Sequence, residues 1–334
     1  MNRFGKALVA LTACLSLAAC GTGGTDTPAS SGSPTNDVIK IGLAQFVSHP
    51  SLDAITQGFK DEMTDAGYVE GVTVTYDERN PQADQGSLTN IANTFAKDAD
   101  MDLVVAIATP TAQAMAQVIT DRPIVFGAVT DPVAAELVDS WDAPGKNITG
   151  TSDYPPIDQQ IALVKEIVPD AKNIGIVYSS SKVNAEVQMN LAKAAAEKLN
   201  MTVKTVTVTN SSEVQQNAGS LTDVDAFYVG NDNTVVSAIG GVIQVAESQK
   251  VPLITADPDS VATGATATYA INQYEMGRNT AKMAIRILKG EDPAQMPVER
   301  QAEYAELSIN KGAAVRQGVT LPDSILQRAV NVYE

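Results

Sequence analysis

Short apolar runs alternate with amphipathic stretches along most of this 334-residue chain. One such run, Leu103–Ile107, is continuous and rich in β-branched residues, which is typical of a strand buried in a parallel sheet. It is followed by Ala108, Thr109 and Pro110, and then by a helical pattern. Because proline is favoured at the first position of a helix, this pattern predicts Thr109 as the helix N-cap.

The same unit recurs further along the chain. Ile124–Ala128 is a second buried run, and the polar turn 129–132, which contains Thr130 and Asp131, precedes a second predicted helix with Asp131 as its N-cap. In open α/β sheets, ligands bind beyond the carboxyl ends of the strands, and helix starts offer free N–H groups to anions. We therefore expect the two turns to form one wall of a ligand cleft. The alternative is that Thr109 and Asp131 are ordinary helix caps.

The alternation of predicted strands and helices continues to the last strand, near Ile309. It predicts an α/β protein of two lobes, each a parallel sheet flanked by helices, because two sets of such units follow one another. Elements that follow the second set imply crossover segments between the lobes. The expected boundaries are 37–151 plus 272–292 for lobe one and 152–271 plus 293–334 for lobe two.

The N-terminal segment has the features of a bacterial lipoprotein signal. Two basic residues precede an apolar run, 7–19, that is too short for a comfortable membrane span. The run ends in Leu-Ala-Ala-Cys20, which resembles the lipobox, where cleavage before the cysteine leaves it lipidated. We expect 1–19 to be a signal peptide, Cys20 to carry lipid, and 20–36, rich in Gly, Ser, Thr and Pro, to be a flexible tether. A plain secretory signal is the alternative.

Composition narrows the range of functions. A formal net charge of -16 argues against nucleic acid or an anionic membrane surface as a partner, so the only expected membrane attachment is the lipid. With a single histidine, His49, a zinc site built on several histidines is excluded, as is any histidine-dependent triad not centred on it. The sequence has no P-loop, CxxC, HExxH or GxSxG motif. We expect neither an enzyme activity nor a metal or cofactor.

Residues 38–312 resemble the type I periplasmic binding proteins that serve ABC importers, and within them the lipoprotein branch associated with tryptophan and tyrosine uptake. The residues that carry the resemblance are Gln45-Phe46 with His49-Pro50, Ala106–Pro110, Ala128–Pro132, Thr149-Gly150 with Ser152-Asp153, Asn231–Thr234, Asp257, and Tyr269 with Tyr274–Arg278.

The resemblance implies a division of labour between the lobes. The loops at Ala108-Thr109 and Val129-Thr130 would hold the carboxylate of an amino acid, and lobe two would supply an acidic group for its ammonium. The predicted ligand-binding residues are Gln45, Phe46, His49, Ala108, Thr109, Thr130, Asp131, Asp153, Tyr178, Asn231, Asp232, Asn233, Asp257 and Tyr269.

Several of these residues have an equally good structural explanation. Asp257 precedes a proline and would cap a helix, although a partly desolvated carboxylate also pairs well with an ammonium. If Asp257 is only a cap, Asp232 or Asp153 is the expected ammonium partner. Phe46, Tyr178 and Tyr269 would either stack on an aromatic ligand or close the edge of a sheet.

The predicted function is that of a lipid-anchored extracytoplasmic solute-binding protein, monomeric, which delivers a small, aromatic amino acid to an ABC permease. Binding would close the two lobes, since only the closed form contacts both ends of the ligand. The alternatives are another solute (a nucleoside, peptide or sugar) and a sensory receptor of the same fold. A transcription regulator of this fold is disfavoured, because a signal and tether occupy the place of its DNA-binding helices.

Overall fold

The computed structural model describes residues 38–301 and 304–334. The predicted signal peptide, the tether and Cys20 lie outside the described residues. Within the described residues, no helix has the length and apolar character needed to cross a membrane.

The secondary structure alternates as the apolar pattern predicts. The strands are β1 (Ile39–Gln45), β2 (Val74–Arg79), β3 (Leu103–Ile107), β4 (Ile124–Gly127), β5 (Ile148–Ser152), β6 (Asn173–Tyr178), β7 (Thr202–Thr207), β8 (Ala226–Val229), β9 (Leu253–Thr255), β10 (Ala267–Ala270), β11 (Glu299–Arg300), β12 (Glu306–Asn310) and β13 (Asn331–Tyr333). The helices are α1 (Pro50–Asp65), α2 (Gln85–Lys97), α3 (Thr109–Val118), α4 (Ile157–Ile167), α5 (Val183–Lys198), α6 (Val214–Ser220), α7 (Asn233–Val236), α8 (Ile239–Gln249), α9 (Pro258–Thr263), α10 (Gln273–Leu288), α11 (Lys311–Arg316) and α12 (Asp323–Arg328), with 3-10 turns at Ser211–Glu213 and Pro293–Gln295.

These strands form two sheets, one in each lobe. The first has six strands in the order β11-β5-β4-β3-β1-β2, all parallel to their neighbours. The second has seven strands in the order β13-β12-β10-β9-β8-β6-β7, in which β12 runs antiparallel to β10. Helices pack on both sheets, so each lobe is an α/β layer structure in which parallel strands dominate. The sheet of lobe two therefore departs from the prediction only at the β10–β12 pair.

The chain crosses between the lobes after β5, between β10 and α10, and between β11 and β12. The structure places residues 293–300 in lobe one, whereas the sequence assigned them to lobe two. β11 pairs with β5 there, with Glu299 opposite Thr151, and the Thr149 hydroxyl donates to the Met296 carbonyl at 2.8 Å. A strand of two residues is too short to produce an alternating pattern, so the sequence contained no signal for it.

Helices α1 and α10 hold the second crossover against lobe one. Their backbones touch at two glycines: a Cβ on Gly58 would lie 2.1 Å from the Tyr274 carbonyl oxygen, and one on Gly277 would lie 2.0 Å from the Ile55 carbonyl oxygen. Real side chains never approach that closely, so only glycine fits at either position. This contact anchors α10, which arrives from lobe two, on lobe one.

The turns that follow β3 and β4 both differ from their predicted form. Thr109 is the first residue of α3 and does not cap it; the N-cap position is Ala108, which has φ +79°. The helix predicted after Pro132 is absent from this described segment, where residues 132–136 form turns. Asp131 caps those turns instead, accepting hydrogen bonds from the N–H groups of Val133 and Ala134.

Candidate functional site

A narrow cavity lies between the two lobes, where the carboxyl ends of their strands face each other. Lobe one contributes residues from the start of α1 and the end of β4, and lobe two contributes residues that follow β8 and β9 or begin α5. The lining residues are His49, Ser51, Leu52, Ala128, Asp153, Asn184, Asn231, Asn233, Val236, Asp257 and Gln273.

The start of α3 in lobe one holds polar groups with no partner. The hydroxyls of Thr109 and Thr111, in the first turn of this helix, belong to residues that are 2% and 0% exposed, and they form no hydrogen bond within the described residues. Two alanines at the ends of the neighbouring strands are strained: Ala108, directly before Thr109, has φ +79°, and Ala128, after β4, has φ +57°, a region that alanine avoids. Free hydroxyls and the free N–H groups of a helix start make this edge suited to an anion.

The start of α1 reaches across the cavity to lobe two. His49 precedes the helix, and its Nε2 lies 3.2 Å from Oδ1 of Asn233, while its Nδ1 is buried without a partner in the described residues. Two residues later, the Ser51 hydroxyl donates to Oδ1 of Asp257 at 2.9 Å. The two lobes are therefore in direct contact through side-chain hydrogen bonds that border the cavity.

Asp153 is the first residue after β5 and lies 6% exposed at the first crossover. Its Oδ1 accepts from the Thr130 hydroxyl at 2.9 Å, and its Oδ2 accepts from Nδ2 of Asn231 at 2.7 Å. Gln188 extends the network by donating to the Thr130 hydroxyl oxygen at 3.3 Å. Burial raises the pKa of Asp153 to about 6, because these hydrogen bonds only partly offset the loss of water around its charge.

Asp257 faces the same cavity but also caps α9. Its Oδ1 accepts from Ser51 and from the Ser260 N–H at 2.8 Å, and its Oδ2 accepts from the Ser260 hydroxyl at 2.7 Å. Asp257 is therefore the helix cap that the sequence predicts, and it also lines the cavity.

The cavity is acidic. Its titratable lining residues are His49, Asp153 and Asp257, and no lysine or arginine is among the described residues that line it. No group of three or more His, Cys, Asp or Glu side chains in the described part of the chain could hold a metal ion. The lining thus contains carboxylates but no lysine or arginine, and a cationic group on a ligand would supply the missing positive charge.

Three predicted polar residues are used elsewhere. Gln45 is occupied within lobe one, where its Nε2 donates to the Val47 carbonyl and to Asp53 at 2.6 Å. Asp232 caps α7 and accepts from the N–H groups of Ser179 and Thr234, so it points back into lobe two. Asp131 caps the turns after β4. None of these three lines the cavity.

The predicted aromatic contacts also lie away from the cavity lining. Phe46 is buried in lobe one with the Lys182 ammonium 5.0 Å from its ring centre. Tyr178 and Tyr269 are half-buried against the core of lobe two, and the Tyr269 hydroxyl accepts from Arg328 at 3.2 Å. Within the described residues, the apolar part of the lining is aliphatic and consists of Leu52, Ala128 and Val236.

Five lining residues were not predicted from the sequence: Ser51, Leu52, Asn184, Val236 and Gln273. All lie in helices, four of them in the first turn, rather than in the strand-end turns on which the prediction relied. The sequence pattern could have indicated Ser51 and Asn184, since both are polar residues at helix starts directly after a strand-end loop.

Comparison with known proteins gives concordant results. A family model described as ABC transporter substrate binding protein matches residues 40–333. Over 272 residues the chain is 40% identical to a tyrosine-binding protein of Clostridioides difficile (strain R20291). The aligned region covers 81% of this chain and 78% of that protein.

Two solved structures are similar at nearly equal identity. An ABC domain from Streptococcus pneumonia in complex with L-Trp is 38% identical with a TM-score of 0.85, covering 88% of this chain and 99% of that one. The ligand-free, open structure of a Clostridium difficile substrate-binding protein with adhesive properties is 37% identical with a TM-score of 0.67, covering 89% and 99%. At nearly equal sequence identity, the whole chain thus superposes better on the L-Trp complex than on the ligand-free, open structure.

Proposed function

The chain belongs to the ABC transporter substrate-binding protein family, with a type I periplasmic binding protein fold, and from that premise we propose that it binds an aromatic amino acid between its lobes. Tyrosine and tryptophan are the two candidates. The family consists of binding proteins rather than enzymes, so the ligand is held and released unchanged.

The observation that carries the amino acid proposal is the charge of the cavity. Two buried carboxylates, Asp153 and Asp257, face a space into which no described lysine or arginine projects. A buried negative charge is costly without a partner, and an α-ammonium group would supply one. The ligand carboxylate is proposed to lie against lobe one, where Thr109, Thr111 and the start of α3 offer unused donors.

Support for an aromatic side chain comes from relatives rather than from the cavity itself. A relative 40% identical is a tyrosine-binding protein, and a structural neighbour contains L-Trp. The aliphatic side chains of Leu52 and Val236 provide apolar surface against which a ring could pack. The ring of the ligand would therefore contact aliphatic groups instead of stacking on Phe46, Tyr178 or Tyr269.

Lobe closure is the proposed mechanism. The contacts between His49 and Asn233 and between Ser51 and Asp257 cross the cavity, so a ligand can enter only when the lobes separate. A ligand that contacts both walls favours the closed arrangement by its difference in affinity for the two states.

The first experiment is a thermal-shift screen of the full chain against the twenty amino acids, with a nucleoside, a dipeptide and glucose as other solutes. A ligand that binds only the folded state stabilises it by about 2.7 kcal/mol at a hundredfold excess over Kd. L-Tyrosine or L-tryptophan should give the largest rise in melting temperature and should be recovered unchanged. If another solute class shifts melting and no amino acid does, the proposal is wrong.

Delivery to a permease from a lipid anchor is the second part of the proposal. The Leu-Ala-Ala-Cys20 tetrad supports it, because a binding protein must remain close to the membrane that holds its permease. Mass spectrometry of detergent-extracted protein should find Cys20 as the first residue with acyl chains attached. Cys20→Ser should release the protein from membranes, and a mature chain that begins elsewhere would contradict the proposal.

A further inference from the structure

The two carboxylates in the cavity differ in how fully they are satisfied. Asp257 accepts three hydrogen bonds, and two of them come from Ser260 in the helix that it caps. Asp153 accepts one side-chain hydrogen bond on each oxygen, from Thr130 and Asn231, and both donors are neutral. A carboxylate has about four lone-pair positions, so Asp153 keeps unused acceptor capacity facing the cavity.

The position of Asp153 in the chain is also different. It follows β5 of lobe one and begins the crossover that leads to α4 of lobe two. One of its oxygens is bound by Thr130 of lobe one and the other by Asn231 of lobe two. Asp153 thus contacts both lobes and the cavity from within a crossover segment. Asp257 also bridges the lobes, through Ser51, but it follows β9 inside lobe two and is not part of a crossover.

We propose that Asp153, rather than Asp257, receives the ligand's ammonium group, and that this contact couples binding to closure because the same carboxylate holds both lobes. The inference rests on the proposed amino acid ligand. The ammonium would supply the positive charge that the network of Gln188, Thr130, Asp153 and Asn231 lacks.

A proton should leave the site when the ammonium arrives. Burial raises the pKa of Asp153 to about 6, and a cation held beside the carboxylate lowers it again. Near pH 6, part of the unliganded protein carries a protonated Asp153 and must release that proton on binding. The other titratable groups that face the cavity are Asp257 and His49, while Thr130, Asn231 and Gln188 are neutral.

The test compares Asp153→Asn with Asp257→Asn in the full chain by calorimetric titration with L-tryptophan and L-tyrosine. Losing one partner of a buried charged pair should weaken binding of the better ligand about 30-fold or more in Asp153→Asn. Asp257→Asn should weaken it less than about fivefold, because asparagine is an equally good N-cap and keeps an acceptor for the Ser260 N–H.

The deaminated analogues, indole-3-propionate and 3-(4-hydroxyphenyl)propionate, separate a direct contact from general damage. They lack the ammonium, so the analogue of the better ligand should bind Asp153→Asn at least as well as it binds the wild type. Equal losses for the amino acid and its analogue would mean that Asp153 acts only through the structure, which overturns the assignment. Should Asp153→Asn fail to fold, Asp153→Glu serves instead and should weaken the amino acid about tenfold more than the analogue.

Titration at pH 6 in buffers of different ionisation enthalpy measures the proton. Wild type should release a fraction of a proton per ligand, Asp153→Asn should release less, and His49→Gln should release as much as the wild type apart from any contribution of the imidazole itself. A release that disappears in His49→Gln and persists in Asp153→Asn would contradict the proposal.

The outcomes distinguish the two levels of inference. If the wild type binds neither L-tryptophan nor L-tyrosine, the proposed function fails and the assignment of Asp153 fails with it. If the wild type binds one of them and Asp257→Asn loses more affinity than Asp153→Asn, only the assignment fails, and Asp257 is the ammonium partner.

Discussion

The two lobes differ in which polar groups their own structure leaves without a partner. In lobe one, Thr109 and Thr111 at the start of α3 have buried hydroxyls without a partner in the described residues, and Ala108 before them has φ +79°. In lobe two, the cavity-lining Asp257 is fully engaged with the protein, whereas Oδ1 of Asn184, which also lines the cavity, has no partner in the described residues. Buried groups without partners cost free energy, so they persist where a ligand uses them. The difference is therefore one of type: lobe one has unused hydroxyl donors, and lobe two has an unused amide oxygen, which is an acceptor.

Ionisation of Asp153, which is hydrogen-bonded to both lobes, should have the largest effect on stability. Its pKa is raised from 3.8 to about 6 in the folded protein, so rising pH ionises the unfolded chain first. The contribution of this group to the free energy of unfolding should therefore fall by about 2–3 kcal/mol between pH 4 and about pH 7, and then stay level. Urea unfolding of wild type and Asp153→Asn across that range measures the difference, and identical pH profiles would contradict the raised pKa.

Replacing Asp257 should show that the lobe-two wall is structural. Asp257→Ala removes the cap of α9 and leaves Ser51 and Ser260 without an acceptor, so the free energy of unfolding should fall by about 1–2 kcal/mol. Asp257→Asn keeps the cap and should cost less than about 0.5 kcal/mol. Denaturant unfolding without ligand measures both, and equal losses in the two variants would mean that capping is not what matters at this position.

Replacing Thr109 or Thr111 in lobe one should have the opposite effect to replacing Asp257: stability should be kept and affinity should fall. Thr109→Val and Thr111→Val remove buried hydroxyls that have no described partner, so the unliganded protein should be as stable as the wild type or slightly more stable. Affinity for the amino acid should nevertheless fall about 3- to 10-fold per hydroxyl that binds the carboxylate. Thr94→Val, at an exposed position in α2, is the control and should leave calorimetric affinity unchanged.

Relief of backbone strain should have the smallest effect. Ala128 has φ +57°, which glycine adopts at no steric cost, so Ala128→Gly should stabilise the protein by about 1 kcal/mol or less. Ala116→Gly, inside α3 where φ is helical, is the matched control and should destabilise by about 0.5–1 kcal/mol. If both substitutions destabilise equally, the strain at Ala128 is not a cost that the fold carries.

Long apolar runs made the fold predictable. β3 has the bounds that the sequence predicted, because a strand buried on both faces is continuous in its hydrophobicity. β11 was not predicted, because two residues carry no periodicity. The helix expected after Pro132 is replaced by turns because Glu136, with φ +60°, leaves the helical region.

The site was less predictable, because it depends on where neighbouring side chains point. The prediction from strand ends selected the whole turn after β8, yet within it Asn231 and Asn233 line the cavity while Asp232 turns back to cap α7. Leu52 and Gln273 reach the cavity only because two lobes and their crossovers bring α1 and α10 to it. No local pattern contains that information.

Small-angle X-ray scattering of the full chain tests most directly whether an amino acid is held between closing lobes. With saturating L-tryptophan or L-tyrosine, the radius of gyration should fall, while the deaminated analogue of the same ligand should produce little or no change, since it lacks the group that joins the hinge carboxylate. A radius of gyration that stays constant with every amino acid, although calorimetry detects binding, would contradict the closure of the lobes around the ligand.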